Sequence, residues 1–232
     1  MTTDGYRYEG TDYLKLGEVA LANYNASIAA LVRRFAGGAH DVMDFGAGIG
    51  TLALSVRDRG LDPLCLEPDD AQRAQLARRG FRTAAALDDV PAASLDYIYS
   101  SNVLEHIADD VRALELLREK LRPGGTLMLY VPAFPSLFSS LDEAVGHHRR
   151  YDQASLRSAL MRAGFTVQRT FYADFFGYFA TLLFKRLGNT MSNANSFTLH
   201  LYDRCIFPVG RLIERVVRVP VGKNVVAVAT RA

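Results

Sequence analysis

The run Asp44-Phe45-Gly46-Ala47-Gly48-Ile49-Gly50-Thr51 combines one carboxylate with three alternating glycines. Glycines let a backbone approach a ligand closely, and a helix starting behind them presents unpaired N–H groups to an anionic or polar group. Glu67 follows 21 residues after Gly46, the spacing at which an acidic side chain chelates the two hydroxyls of a ribose. A second stretch rich in chemistry, Leu141 to Tyr151, holds Asp142, His147, His148, Arg150 and Tyr151. With His106 it contains three of the five histidines of the chain. An imidazole, which titrates near neutral pH, is a natural proton acceptor. Asp142, His147 and His148 are also metal-ligand types, but their spacing alone assigns no metal.

The glycine pattern separates two kinds of cofactor. A dinucleotide loop reads G-x-G-x-x-G, whereas here Thr51 stands at the third glycine and the pattern is G-x-G-x-G. Asp44, two residues before the first glycine, would repel a pyrophosphate and attract an α-amino group. A ligand with a ribose at one end and an ammonium-carboxylate at the other meets both acids, and S-adenosylmethionine is such a ligand.

The elements that must hold these residues alternate. Apolar spacing predicts a helix over Glu18 to Phe35, stopped at Gly37-Gly38, and a buried strand over Asp41 to Phe45. Helices follow over Thr51 to Arg59 and Asp69 to Arg79, each closed by a glycine, with strands over Asp62 to Leu66 and Phe81 to Ala85. Leu95 to Ser100 is a fourth strand, Asp109 to Leu121 a helix, and Thr126 to Val131 a fifth strand entered through Pro123-Gly124-Gly125. An irregular stretch to Tyr151 precedes a helix over Gln153 to Ala163, capped by Asp152, and a strand over Phe165 to Phe171. The last strand spans Asn224 to Thr230. Strands regularly separated by helices imply a doubly wound α/β sheet. The connection of about fifty residues before the last strand is too long for a plain loop. Helices are expected near Asp174 to Leu187 and Thr198 to Val217, the second bent at Pro208.

Composition narrows the function classes. The 232 residues suit one large domain, and 49% apolar with 22% charged residues is ordinary globular composition. Lys+Arg 27 against Asp+Glu 25 is too balanced for a chain that grips a nucleic-acid backbone, so no nucleic-acid partner is expected. Cys65 and Cys205 have no metal-spaced neighbours and read as reduced thiols. Met1-Thr2-Thr3-Asp4-Gly5 lacks a leader pattern and no run is long enough to span a membrane, which places the protein in the cytoplasm.

Val42-Met43-Asp44-Phe45-Gly46-Ala47-Gly48-Ile49-Gly50 resembles the first motif of the class I S-adenosylmethionine-dependent methyltransferases. Leu66-Glu67-Pro68, Leu95 to Ile107 and Leu121-Arg122-Pro123-Gly124-Gly125-Thr126-Leu127 resemble its later motifs in the same order. The resemblance implies a Rossmann-like seven-stranded sheet whose last strand is antiparallel, preceded by a helical insertion. One domain over 1–232 would comprise a helical cap (1–38), a cofactor-binding core (39–172), the insertion (173–221) and the last strand (222–232). It further implies that Asp44 faces the cofactor's amino group and the N–H groups of Gly46, Ala47 and Gly48 its methionine portion. Gly50 would also contact the cofactor, Glu67 and Pro68 would hold the ribose, and Asn102 and Val103 would lie near the transferable methyl. Many members carry an Asp that binds adenine after the third strand. Here Ala86 and Leu87 stand there, so Leu87 would supply a backbone N–H and an apolar wall, with Asp88 as a substitute acid.

The resemblance also limits the acceptor. The Asp/Asn-Pro-Pro-aromatic motif of nucleobase amino methyltransferases is missing at Ser101-Asn102-Val103-Leu104, and so is a Pro-Cys nucleophile. Small-molecule, sugar or lipid-linked acceptors remain, methylated on oxygen or nitrogen. Methyl transfer is an in-line displacement, so candidate bases should follow the fourth or fifth strand. His147 is the expected base, with Asp142, Arg150 and Tyr151 around it; Arg150-Tyr151-Asp152 could instead only anchor the next helix, and His148 faces solvent. The wording Gly-His-x-Arg-Arg-Tyr resembles a bacterial branch associated with glycan or lipid-linked sugars. Glu105 and His106 read as residues starting the fourth crossover. Tyr24 and Asn25 either close over the cofactor or pack in the core.

The insertion is aromatic on many faces, with Phe175, Phe176, Tyr178, Phe179 and Phe184. Between 185 and 219 it carries Lys185, Arg186, Arg204, Arg211, Arg215 and Arg218 against Asp203 and Glu214. It wants a partner: the same domain, a second copy through 173–219, or a membrane surface that would make the protein membrane-peripheral. As a connection leaving an edge strand, it is expected to roof the acceptor pocket.

Overall fold

The computed structural model describes residues 11–186 and 196–232. Met1 to Gly5 and Leu187, which figure in the expectations above, lie outside the described residues.

Two helices, α1 (Thr11–Ala20) and α2 (Ala22–Ala36), lead into β1 (Val42–Phe45). The chain continues through α3 (Thr51–Arg57), β2 (Leu64–Leu66), α4 (Asp70–Arg78), β3 (Thr83–Ala84), β4 (Leu95–Ser101), α5 (Asp110–Lys120) and β5 (Leu121–Pro132). After it come α6 (Ser140–Ala144), α7 (Gln153–Arg162), β6 (Phe165–Ala173), α8 (Phe175–Arg186), α9 (Ser196–Leu201), α10 (Phe207–Val216) and β7 (Asn224–Arg231). Among the described residues the seven strands form one sheet in the order β3-β2-β1-β4-β5-β7-β6, and β7 runs antiparallel to both neighbours. The Pro123-Gly124-Gly125 turn falls inside β5, where the pairing with β4 shifts register.

Strand periodicity divides the core into two layers. Leu127, Leu129 and Val131 of β5 and Val225, Ala227 and Ala229 of β7 pack with α5 and α7 on one face. Met128 and Tyr130, with Val226 and Val228, meet α2, Tyr97 and Tyr99 on the other. Both faces are covered, so these strands read as continuous apolar runs. Asp69, Asp109 and Asp152 cap α4, α5 and α7 through backbone N–H groups two or three residues on, as their positions predict.

One helix expectation is corrected. The helix expected from Glu18 is two helices broken at Leu21, whose own side chain caps nothing. The cap comes from far away: Asp203 accepts from the N–H groups of Asn23 (2.8 Å) and Tyr24 (2.9 Å). Near Pro208, where a bend is expected, the helical backbone passes from α9 into α10 through a π-helical turn over Tyr202–Ile206 that ends two residues before the proline.

Among its described residues the insertion does not roof the cavity described below, since none of them lines it. It buttresses the walls. Asp203 fixes α2, and the Lys185 ammonium donates to the carbonyls of Ser136 (2.6 Å) and Phe138 (2.8 Å), in the loop that leads to α6. Tyr178 packs edge-on against Phe134 at 5.1 Å. Among the described residues no helix is long and apolar enough to cross a membrane.

Candidate functional site

A cavity of about 450 Å³ opens beyond the carboxyl ends of β1, β2, β4 and β5, where an open α/β sheet receives its ligands. Asp44, Gly46, Ala47, Gly48, Glu67 and Pro68 line one half, Asp142, His147 and Arg150 the other, with Asn102 and Val103 between them. Gly50, Ala86, Leu87 and Tyr151 do not line it. Gly50 starts α3 behind the loop. The carboxylate of Asp89 accepts from the N–H groups of Ala85 and Ala86, both at 3.0 Å, and Asp88 is exposed.

In the first half, Asp44 is buried at 2% exposure and its Oδ2 has no partner in hydrogen-bond geometry. Burial, opposed by the Tyr99 hydroxyl and reinforced by the nearby Glu67 charge, pushes its pKa up to about 7. A buried carboxylate oxygen left without a partner in this way calls for a cationic donor. Glu67 accepts from the N–H of Gly48 (2.8 Å) through one oxygen and from that of Asp69 (3.0 Å) through the other. Burial raises its pKa as well.

One expectation about the loop is corrected here. The N–H groups of Gly46 and Ala47 donate to Leu66 O (2.9 and 3.1 Å) and that of Gly48 to Glu67, so all three are spent inside the protein. A loop packed this closely must satisfy its donors internally. The glycines therefore serve close approach: at Gly46 (φ +77°) a Cβ would stand 2.4 Å from Val103 Cγ2.

Asn102 adopts φ 55° at the tip of β4, a conformation that asparagine tolerates. Its N–H donates to Tyr130 O (2.8 Å), and its Oδ1 accepts from Asn224 Nδ2 (3.3 Å). Tyr24 packs in the core as one expectation has it, its buried ring lines the cavity, and its hydroxyl donates to Asn224 Oδ1 (3.3 Å).

The second half centres on Asp142. Its Oδ1 meets His147 Nδ1 at 2.7 Å and Arg150 Nε at 2.8 Å, while Oδ2 accepts from the N–H of Ser139 (2.9 Å) and its hydroxyl (3.0 Å). Burial works to raise the Asp142 pKa, but the bonds from His147 and Arg150 outweigh it and hold the acid well below the usual carboxylate range. The ring of His147 is thereby fixed, with Nε2 3.8 Å from Glu105 Oε1 and its centroid 4.6 Å from that of His106. Tyr151 faces away, its hydroxyl donating to Asp110 Oδ2 (2.8 Å), which together with Arg149 anchors α5.

Glu105 and His106 are the site residues that sequence reasoning placed least well. They lie in a 3-10 turn (Leu104–His106) that turns both side chains into the cavity. Glu105 is 0% exposed, and burial pushes its pKa up to about 8. Burial, then the neighbouring His147, lowers the pKa of His106 to about 4. Their sequence signal was only the adjacency of an acid and a histidine just past a buried strand.

Comparison with known proteins agrees with this geometry. The family described as "Methyltransferase domain" matches residues 21–170. The chain is 39% identical over 93 residues to the methyltransferase tpcM of Aspergillus fumigatus, covering 37% of this chain and 29% of that one. It is 29% identical over 147 residues to a probable S-adenosylmethionine-dependent methyltransferase of Mycolicibacterium smegmatis, covering 60% and 56% respectively. The chain thus spans well under two thirds of these relatives. Among solved structures it resembles a SAM-dependent methyltransferase from Archaeoglobus fulgidus (TM-score 0.61, 17% identity, 95% of this chain and 99% of that one). It also resembles phosphoethanolamine N-methyltransferase 2 of Haemonchus contortus (TM-score 0.63, 16% identity, 97% and 57%).

Proposed function

The chain belongs to the class I S-adenosylmethionine-dependent methyltransferases, and we propose that it methylates an oxygen or nitrogen of a small-molecule, sugar or lipid-linked acceptor. One observation carries the proposal: the half of the cavity built from Asp44 and Glu67 is continuous with the half built from His147, Asp142 and Glu105. When bound, S-adenosylmethionine supplies a methyl group on a cationic sulfur. The chain's own residues fit it. Asp44 Oδ2 is an unpartnered buried acceptor for its ammonium, and Glu67, seated on two backbone N–H groups, offers its remaining lone pairs to the ribose. Asn102 and Val103 form the floor between cofactor and acceptor. Displacement in line with the sulfur requires alignment and, for a hydroxyl or ammonium acceptor, loss of a proton. The corner of Glu105, His106 and His147, with His147 oriented by Asp142, is where that proton leaves.

Apolar side chains left exposed on α8 to α10, among them Leu183, Leu212 and Val216, stand beside exposed Arg186, Arg204 and Arg215. This pairing supports peripheral contact with an anionic membrane and hence a lipid-linked acceptor. The test is mass-spectrometric detection of S-adenosylhomocysteine with hydroxylated small molecules, sugars and lipid-linked sugars, presented free and in anionic vesicles. Product that appears only with an acceptor is expected. Cofactor binding with no turnover on any acceptor would make the chain a non-catalytic binding subunit.

Asp44 gives a pH prediction. Its carboxylate form pairs with the ammonium, and its pKa in the free protein is about 7. Cofactor affinity is therefore expected to fall by up to about tenfold per pH unit as pH drops below 7, and to level off above it. Calorimetric titration across this range should show the slope in the wild type and a flat profile in Asp44→Asn. A flat wild-type profile would remove Asp44 from the ammonium site.

A further inference from the structure

We propose that Glu105, His106 and His147 form a binding site for one divalent transition-metal cation at the acceptor end of the cavity. The inference rests on the acceptor-side reading above and deepens it. The three side chains each offer a donor atom, and these atoms lie within 4.8 Å of one another. Bonds of about 2.0 to 2.2 Å would set tetrahedral donors about 3.3 to 3.5 Å apart, so the donor atoms close by up to about 1.5 Å around a bound cation.

The strongest sign is Glu105. It is fully buried, both its carboxylate oxygens lack a hydrogen-bond partner, and its neighbour across the cavity corner, His147 Nε2, stands at 3.8 Å. A carboxylate buried this way is ordinarily paired, hydrogen-bonded or bound to a metal.

The outer contacts have the form a metal site requires. A metal-bound histidine fixes its tautomer by giving its other ring N–H to a carboxylate or a backbone carbonyl. His147 places Nδ1 on Asp142, which Arg150 and Ser139 hold in turn, so Nε2 remains for the cation. His106 hydrogen-bonds with the backbone of Gly146. Two imidazoles and one carboxylate suit zinc, cobalt or iron(II) and leave further positions open. The open side faces the cavity, where an acceptor oxygen would bind beside Asn102 and Val103. A hydroxyl coordinated there sheds its proton to water more readily than a free one.

The experiment uses the full chain, stripped with a chelator and dialysed, then titrated with Zn²⁺ by calorimetry and with Co²⁺ by visible absorption. One equivalent is expected, with d–d bands of a low-coordinate cobalt site. Glu105→Gln, His106→Ala and His147→Ala should each abolish it, and Asp142→Asn should weaken it about 10- to 100-fold. His148→Ala, an exposed neighbour, should bind like the wild type. S-adenosylhomocysteine titrated into the same samples reports that each variant is folded. Cofactor binding without metal uptake in the wild type overturns this inference and leaves the proposed function standing, whereas loss of cofactor binding in the wild type would fail the function itself. Wild-type metal affinity in Glu105→Gln and His147→Ala, or equal loss in His148→Ala, also overturns the site.

Discussion

Replacing His147 by alanine is expected to lower turnover by about 10² to 10⁴-fold, the usual size of losing a group that promotes removal of the acceptor's proton, while leaving S-adenosylmethionine affinity unchanged. The split follows from geometry. His147 touches Asp142 and Glu105 at the acceptor end and makes no contact with Asp44 or Glu67. Asp142→Asn should also lower turnover, because it removes the negative charge shared by His147 and Arg150 and puts an NH₂ donor where Oδ2 now accepts from the N–H and hydroxyl of Ser139. Single-turnover formation of S-adenosylhomocysteine, alongside calorimetry of the cofactor, checks both. Unchanged turnover in His147→Ala would leave the Asp142–His147–Arg150 network as a brace for the loop from Leu141 to Tyr151.

At the other end, Asp44→Ala is expected to weaken cofactor binding by roughly 10- to 100-fold, the equivalent of a lost charge-assisted hydrogen bond of about 1.5 to 3 kcal/mol. Glu67→Ala should do at least as much and lower thermal stability as well. Its carboxylate seats the N–H groups of Gly48 and Asp69, and two donors left without partners cost about 1 to 3 kcal/mol each. Calorimetry with thermal melts separates the two, since Asp44→Ala removes an acid whose Oδ2 has no hydrogen-bond partner and should lower the melting temperature less than Glu67→Ala does. Wild-type affinity in both variants would displace the cofactor from this half of the cavity.

The sheet was legible because its signals are local. Gly37, Gly60 and Gly80 close α2, α3 and α4 at positive φ, and Asp69, Asp109 and Asp152 announce the helix starts that they cap. The reversed last strand followed from the resemblance to the methyltransferases and is present as β7. Asp44 and Glu67 were legible by their place relative to the glycine loop. What escaped depends on contacts between distant segments. The break at Leu21 is set by Asp203, 180 positions from Asn23, and no local residue signals it. Asn224 joins the site only because β7 inserts beside β5, which brings its side chain to Asn102 and Tyr24.

The acceptor side was half legible for the same reason. His147 and Asp142 lie five residues apart, within reach of local reasoning, and the structure joins them. Tyr151 shares their motif, but its hydroxyl goes to Asp110 on α5, as the alternative reading of Arg150-Tyr151-Asp152 as an anchor expects. Glu105 and His106 meet His147 only because the 3-10 turn after β4 packs against the loop after α6, and His148 N–H donates to Glu105 O at 2.8 Å to hold the two together. The insertion's aromatic residues indicated that it needed neighbours without saying which. Its contacts with α2 and the loop 134–138 brace the cavity walls from outside.

The central claim is that cofactor and acceptor machinery share one cavity, with the methyl donor aimed at the corner of Glu105, His106 and His147. An experimental structure of the chain with S-adenosylhomocysteine tests this most directly. The account predicts the amino group on Asp44, the ribose hydroxyls on Glu67, and the open face of the sulfur turned past Asn102 toward His147. A sulfur turned away from that corner, or a ligand lying outside the Asp44–Glu67 half, would contradict it.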